Sequence, residues 1–246
     1  MSCADIPNWY LSHRIPVINT RSATWIEARS QLLPPGYEHT TCLRRLANAG
    51  RVRQLARGLW QVIDPSREPP APALADAIFR EAVHYITTDA ALEAEGLIDQ
   101  PLPTITVVVR KKTKPIKVGL TTIRAVWMAE SKLSRAEFTE TSREGYRVSL
   151  ATPAQALVDA LAQPDWMTHR TLLPEVLVQL SPRDVETAAE VALVRSKAAA
   201  ARLGYLVEDA GLPVPRALET FWPASRTELT PGRRGPYSTR WRVYGW

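Results

Sequence analysis

Residues 40–63 read TTCLRRLANAGRVRQLARGLWQVI, and this stretch decides how the first part of the chain folds. Either Thr40 or Thr41 is expected to cap the start of a helix. Gly50 is a typical stop signal for that helix. Apolar residues at helical spacing form the face that packs inward: Leu43, Leu46 and Ala47.

Apolar residues that suit two short strands follow the predicted helix: Val52, Leu55, Leu59, Trp60, Val62 and Ile63. The residues between them, Ala56-Arg57-Gly58, make a plausible turn. This pattern predicts a β-hairpin directly after the helix.

A second helix is expected upstream of this stretch. Thr24-Trp25-Ile26-Glu27 has the form of a capping box that opens a helix. Pro34-Pro35-Gly36 is expected to end it. The order helix, helix, hairpin predicts a winged helix-turn-helix within residues 1–64.

Basic charge is concentrated in this first part. The chain has a formal net charge of +6, and residues 1–64 carry 8 Arg or Lys but only 4 Asp or Glu. Residues 40–63 contain no acid at all. Such a distribution is typical of a surface that binds nucleic acid. The residues expected to contact DNA are Thr40, Thr41, Arg44, Arg45, Asn48, Arg51, Arg53 and Arg57.

These residues are expected to make two kinds of DNA contact, with base edges and with the phosphate backbone. Arg44, Arg45 and Asn48 lie on the side of the helix opposite its apolar face, and arginine and asparagine pair bidentately with guanine and adenine edges. The three hairpin arginines are expected to contact the phosphate backbone, and the threonines to meet phosphate at the helix start. The alternative is a solvated basic face without a ligand.

Residues 65–73 form a proline-rich stretch that predicts a linker between two domains. Residues 74–246 mix helix and strand patterns, which predicts an α+β domain with a small mixed or antiparallel sheet. Thr152-Pro153 and Ser181-Pro182 are cap-plus-proline helix starts. The alanine-rich helix from Pro182 is expected to continue toward Leu203.

Four stretches, in this order, resemble one known family: LANAGRV at 46–52 with RGLW at 57–60, ITTDAALEAEGL at 86–97, ATPAQALVD at 151–159 and RLGYL at 202–206. The chain is similar there to the AbiE-type antitoxins of type IV toxin–antitoxin systems. The resemblance implies a winged helix that represses its own operon by binding inverted repeats in operator DNA. It also implies a second domain that counteracts a cognate nucleotidyltransferase-type toxin.

Residues 101–128 form a second acid-free region, with a cluster of lysines at Lys111, Lys112, Lys114 and Lys117. This cluster predicts a second basic surface for flanking DNA, for the toxin or for the toxin's RNA. The alternative is a lysine-rich turn that simply faces water.

Other features have structural and functional interpretations. The tail after Phe221 is rich in arginine and aromatic residues, which is typical of a segment packed on its domain, or of single-strand binding by stacking. Asp159, among apolar neighbours, is expected to be a buried structural carboxylate. Cys42 is expected to pack as a core thiol, since two cysteines make no disulfide framework.

The sequence contains none of the common catalytic or nucleotide-binding motifs, and we expect no enzyme activity, no cofactor and no metal. A remote alternative is a metal-dependent nuclease built on Glu130-Ser131-Lys132 with Asp99. The main alternative is a stand-alone winged-helix repressor whose second domain senses a ligand. No secretion signal or membrane span is visible, so a cytoplasmic location is expected.

Overall fold

The N-terminal part of the chain forms a unit of helices and a small sheet. The structure, a computed structural model, describes residues 3–34 and 38–246, so Pro35 and Gly36 of the predicted turn lie outside the described residues. The unit contains α1 (Asp5–Ser12), β1 (Val17–Asn19), α2 (Ala23–Leu32), α3 (His39–Asn48), β2 (Val52–Ala56) and β3 (Leu59–Val62).

The small sheet is antiparallel throughout, with the strand order β1-β3-β2. Strands β2 and β3 form the predicted hairpin. Gly58 in its turn has a φ of +81°, and a Cβ there would approach the Thr20 hydroxyl to 2.9 Å. A residue without a side chain is therefore needed at this position.

Helix α3 packs its predicted apolar side into the core of the unit. Leu43 and Leu46 are buried there beside Trp25 and Trp60. Cys42 is buried too, but it is not the free thiol that we expected, because it forms a disulfide with Cys3. No local signal marks this pair, since the two residues are 39 positions apart.

The capping box predicted at Thr24 is wrong in its details. Ser22 is the N-cap of α2, and its side chain accepts a hydrogen bond from the Trp25 amide. The Thr24 hydroxyl instead donates to the Glu81 carboxylate at 3.3 Å, and the Ala23 amide donates to the same carboxylate at 3.2 Å. This contact joins the N-terminal unit to the rest of the chain.

The remaining elements alternate between helix and strand. They are α4 (Ala71–Phe79), β4 (His84–Thr87), α5 (Asp89–Ala94), β5 (Thr104–Val109), β6 (Ile116–Val118), β7 (Thr121–Trp127), α6 (Glu130–Leu133), β8 (Phe138–Arg143), β9 (Tyr146–Ala151), α7 (Pro153–Ala162), α8 (Leu173–Gln179), α9 (Pro182–Arg195), α10 (Lys197–Asp209), α11 (Arg216–Glu219), β10 (Thr227–Glu228), β11 (Tyr237–Ser238) and β12 (Val243–Tyr244). Helix α4 begins at Ala71, inside the stretch predicted as a linker.

Strands β4 to β9 form one mixed sheet in the order β6-β7-β5-β4-β9-β8. The pairs β5–β7 and β4–β9 are parallel, and the other neighbours are antiparallel. The predicted α+β class, with a mixed sheet, is therefore confirmed.

The central strands β4 and β5 are buried on both faces, and alternate residues of β5 point to different apolar clusters. Val107 and Val109 face α4 together with Val17 from the N-terminal unit. Val108 faces the opposite cluster, which contains α7, α9 and α10. The N-terminal unit therefore shares an apolar core with the layer around α4.

Asp159 on α7 is buried and structural, as predicted. One carboxylate oxygen accepts hydrogen bonds from the hydroxyls of Tyr85 (2.8 Å) and Thr87 (3.0 Å), and the other accepts from Arg195 Nε (3.0 Å). Burial raises the pKa of Asp159, and these partners oppose the shift. The network ties α7 to β4 and α9.

The cap-plus-proline starts are confirmed, but the long helix is wrong. Thr152 and Ser181 cap α7 and α9 by accepting from the amides three residues on. The helix from Pro182 ends at Arg195, because Ser196 adopts an extended conformation and caps a new helix, α10.

Residues 221–246, the C-terminal segment, pack on the domain, as the first of our two interpretations predicts. They contain the small sheet β10-β12-β11. Trp241 is completely buried against α10 and donates its indole hydrogen to Glu208 Oε2 at 2.6 Å. In the part of the chain that the structure describes, no helix has the length and apolar character needed to cross a bilayer.

Candidate nucleic-acid interface

Helix α3 separates apolar from basic side chains. Leu43 and Leu46 are almost fully buried, whereas Arg44, Arg45 and Asn48 are exposed. The three predicted groove-reading residues therefore lie on the solvent side of one helix, and their guanidiniums are not buried against the C-terminal part of the chain.

A surface groove of about 680 Å³ runs between the end of α3 and strand β2. Arg44 and Asn48 line it from the helix, and Arg53 and Gln54 line it from the strand. Trp60 contributes an apolar wall and is itself buried in the N-terminal core. The groove thus collects two guanidiniums and two side-chain amides, which are the groups that read base edges and bind phosphate.

The sequence analysis did not predict Gln54, because it selected the hairpin residues by positive charge and glutamine is neutral. Strand alternation would not have found it either, because adjacent residues of a strand point to opposite faces, yet Arg53 and Gln54 are both exposed on β2. The Gln54 amide nitrogen donates to the Ala56 carbonyl at 3.3 Å. This contact holds the side chain along the hairpin.

The hairpin arginines differ from one another more than their sequence suggests. Arg51 is half-buried and donates to Asn8 Oδ1 on α1 at 2.8 Å, so it fastens α1 to the hairpin. Arg53 donates to Gln61 Oε1 at 2.7 Å and lies 3.6 Å from the Glu68 carboxylate, with half of its side chain exposed. Arg57 is exposed at the turn beside Gly58.

The start of α3 corrects a prediction. Glu38 is the N-cap residue, with no side-chain cap hydrogen bond, and the helix already includes Thr40 and Thr41. Thr40 is exposed, whereas the Thr41 hydroxyl donates to Glu38 Oε2 at 3.0 Å. A carboxylate therefore lies at the end of the helix where phosphate was expected. The prediction overlooked it because the acid-free stretch begins at Thr40, two residues after Glu38.

The predicted second basic surface lies next to the hairpin. Lys111, Lys112 and Lys114 are exposed in the segment between β5 and β6, and Lys117 is exposed on β6. Strand β6 is an edge strand of the large sheet, and it contacts β2 of the N-terminal unit. The two predicted basic regions are therefore neighbours.

The residues of the nuclease alternative are engaged in other contacts. Glu130 accepts a hydrogen bond from Arg110 at 2.7 Å, and Lys132 Nζ donates to the Arg195 carbonyl at 2.9 Å. Asp99 lies in the loop between α5 and β5. Within residues 3–34 and 38–246, no group of three or more histidine, cysteine or acidic side chains is placed to hold a metal ion.

The fold has a counterpart among solved structures. The RV2827C protein from Mycobacterium tuberculosis is similar, with a TM-score of 0.63 over 99% of this chain and 90% of that chain. Sequence identity is 14%, so the likeness shows the fold alone. No family model matches the chain, and no curated protein matches it.

Proposed function

We propose that this protein is a winged-helix DNA-binding regulator that acts as the antitoxin of a toxin–antitoxin pair. The groove between α3 and β2 is the observation that carries the DNA-binding part. The element order of the N-terminal unit, helix–strand–helix–helix–hairpin, suits a winged helix. The basic face of α3 suits a recognition helix.

The basic residues of α3 and those of the hairpin would have different roles on DNA. Arg44, Arg45 and Asn48 on α3 would enter the major groove, and Arg57 at the hairpin turn would contact the flanking backbone. Arg53 would also contact the flanking backbone. The contact of Arg51 with Asn8 favours a structural role for Arg51.

Salt dependence tests this assignment. Binding to duplex DNA from the promoter upstream of the gene is measured against salt concentration for the wild type and for the triple variant Arg44→Ala, Arg45→Ala, Arg57→Ala. Each lost phosphate contact is expected to flatten the slope of log K against log salt by about 0.9. A control triple variant at exposed positions, Arg183→Ala, Lys197→Ala and Arg216→Ala, loses the same charge far along the chain. Equal binding by both triple variants would contradict the proposal.

The antitoxin role rests on the family resemblance, with the C-terminal part of the chain counteracting a nucleotidyltransferase-type toxin. The test is co-expression with the neighbouring reading frame. If that frame encodes such a toxin, the protein is expected to relieve its growth arrest. The arginine triple variant is expected to retain this relief while losing repression, because the two roles lie in different parts of the chain.

A ligand-controlled repressor is the second candidate, and a cavity favours it. About 230 Å³ of space lies beside α6, α7 and α9, lined by polar groups that include Lys132, Gln155 and Arg195. A neighbouring frame without toxin activity, together with a metabolite that raises the melting temperature and releases DNA, would favour this candidate over the antitoxin.

A further inference from the structure

The C-terminal segment forms a pocket that the DNA-binding proposal does not use. Its volume is about 410 Å³. Three guanidiniums and a single carboxylate line it, from Arg202, Arg226, Arg234 and Glu228, beside the side chains of Thr227 and Tyr244. The lining therefore carries an excess of two positive charges.

Arg202, at the inner side of the pocket, is buried among neutral partners. It is 9% exposed. Its Nε donates to the Glu228 carbonyl at 2.8 Å, its Nη2 to the Thr227 hydroxyl at 3.0 Å, and its Nη1 to the Leu161 carbonyl. Among the residues that the structure describes, no carboxylate lies within ion-pair distance of it. A guanidinium keeps its charge when buried, so this charge lacks a contacting counter-ion.

The one acid of the pocket is paired with one of its three guanidiniums. Glu228 Oε1 accepts from Arg234 Nε at 2.8 Å, and Glu228 Oε2 accepts from the Gly232 amide at 2.8 Å. The hydrogen bond from Arg234 holds the pKa of Glu228 below its ordinary value, so the carboxylate stays ionised. Glu228 contacts Arg234 and acts on Arg202 only through space, so a single carboxylate faces three guanidiniums and two positive charges stay in excess.

Stacked side chains position the two outer guanidiniums. Arg226 lies over the Tyr237 ring at 5.6 Å, and Arg234 lies over the Tyr244 ring at 5.4 Å. The two tyrosine rings are 4.8 Å apart. Cation–π contacts of this kind hold the guanidiniums before any ligand arrives, which reduces the entropy lost on binding.

We propose that this pocket binds a phosphate group. A phosphate carries up to two negative charges and accepts paired hydrogen bonds from planar guanidiniums, which matches both the charge excess and the donors present. Two sources share this chemistry: the phosphate of a free nucleotide and the backbone of a single nucleic-acid strand. The assignment does not depend on the DNA-binding role of α3.

Isothermal titration of the full chain tests the proposal with three probes: inorganic phosphate, ATP and a single-stranded RNA oligonucleotide. Arg226→Ala removes an exposed pocket residue, and Arg233→Ala is its matched control, because Arg233 is an exposed arginine of the same segment that does not line the pocket. Arg226→Ala is expected to weaken binding about tenfold, the cost of a lost charged hydrogen bond, while Arg233→Ala leaves binding near the wild type.

A second variant is expected to bind phosphate more tightly, and damage to the fold cannot explain a gain of affinity. Glu228→Gln removes the negative charge while keeping an acceptor oxygen, and it is expected to tighten phosphate binding several-fold. Binding of ATP and phosphate identifies a nucleotide site, and binding of RNA alone identifies a strand site. The absence of binding for all three probes, or equal losses in Arg226→Ala and Arg233→Ala, would overturn the proposal.

Discussion

The indole of Trp241 lies flat against Gly204 on α10, and a Cβ atom at position 204 would overlap its six-membered ring. The glycine has no positive φ, so the close approach of the ring, not the backbone conformation, requires it. Trp241 is completely buried in this position. Because Gly204 has no Cβ, Trp241 can pack against α10 and hold the C-terminal segment on the domain.

Gly204→Ala is therefore expected to destabilise the protein. Helix propensity alone would make alanine better than glycine by ~1 kcal/mol in α10. The overlap with Trp241 is expected to outweigh this gain and lower the free energy of unfolding by about 1–3 kcal/mol, which urea denaturation measures. In a Trp241→Ala background the same substitution should become neutral or stabilising. An unchanged or raised stability of the single variant would contradict the close contact.

Local signals predicted the fold best. Thr152 and Ser181 cap their helices where the sequence says they do, because a cap and an N1 proline act within one turn. Ser196 was missed because it stands in an alanine-rich run without proline or glycine, so nothing local marks the break. Strand β1 was missed because its three residues gain their partner, β3, only from about forty residues further on.

In the candidate interface, too, local signals could be predicted and long-range contacts could not. Helix periodicity identified Arg44 and Asn48, because it places them opposite the apolar face. It did not reveal that Arg51 reaches Asn8, because that is a tertiary contact, or that Arg53 donates to Gln61, its partner across the hairpin. It also passed over Glu38, whose effect depends on where α3 begins.

Glu38→Gln is expected to strengthen duplex binding. The Glu38 carboxylate lies at the start of α3, where it would repel an approaching phosphate. A unit charge pair at 4 Å in water is worth about 1 kcal/mol, or roughly fivefold in affinity. The same substitution should cost ~0.3–1 kcal/mol of stability, because an acid favours the helix N-terminus. Fluorescence anisotropy measures the first effect. Glu95→Gln, at an exposed position elsewhere, is the matched control.

Charge reversal at Lys111 and Lys112 is expected to weaken binding to long duplexes. These lysines lie in the segment next to β6, which contacts the hairpin strand β2. Under the proposed DNA-binding role of α3, they would reach the duplex beyond the core site. The effect should shrink on a minimal duplex that lacks flanking base pairs. Arg183→Glu with Lys197→Glu changes the charge equally and serves as control. If DNA affinity and toxin relief both stay unchanged, the lysines only face water.

Asp76 is expected to make stability depend on acidity. It is buried, and its Oδ1 accepts from the Ser149 amide at 2.8 Å and lies 3.1 Å from His84 Nε2. Burial alone would raise the pKa of Asp76, but these contacts outweigh it and lower the pKa below its ordinary 3.8. The ionised form therefore favours the folded state. This stabilisation is complete above about pH 4 to 5 and is lost as the pH falls through the folded pKa.

Asp76→Asn should consequently be less stable at pH 7 and should lose less stability between pH 5 and pH 2 than the wild type. Urea denaturation across this range measures both effects. Asp99→Asn, at an exposed position, is expected to follow the wild-type curve. An Asp76→Asn curve parallel to that of the wild type would show that the carboxylate does not titrate with unfolding.

Reduction of the Cys3–Cys42 disulfide is expected to loosen α3. The bond joins Cys3, two residues before the start of α1, to the buried side of α3, and it closes a loop of about forty residues. In the chain-entropy description such a cross-link contributes about 4 kcal/mol. Reductant should therefore lower the melting temperature, and Cys3→Ser should lower it equally without responding to reductant. A thiol assay on the unfolded, unreduced protein gives the decisive count: two reactive thiols would mean that the cysteines are not joined, and that α3 is held by the packing of its buried side chains without a covalent link.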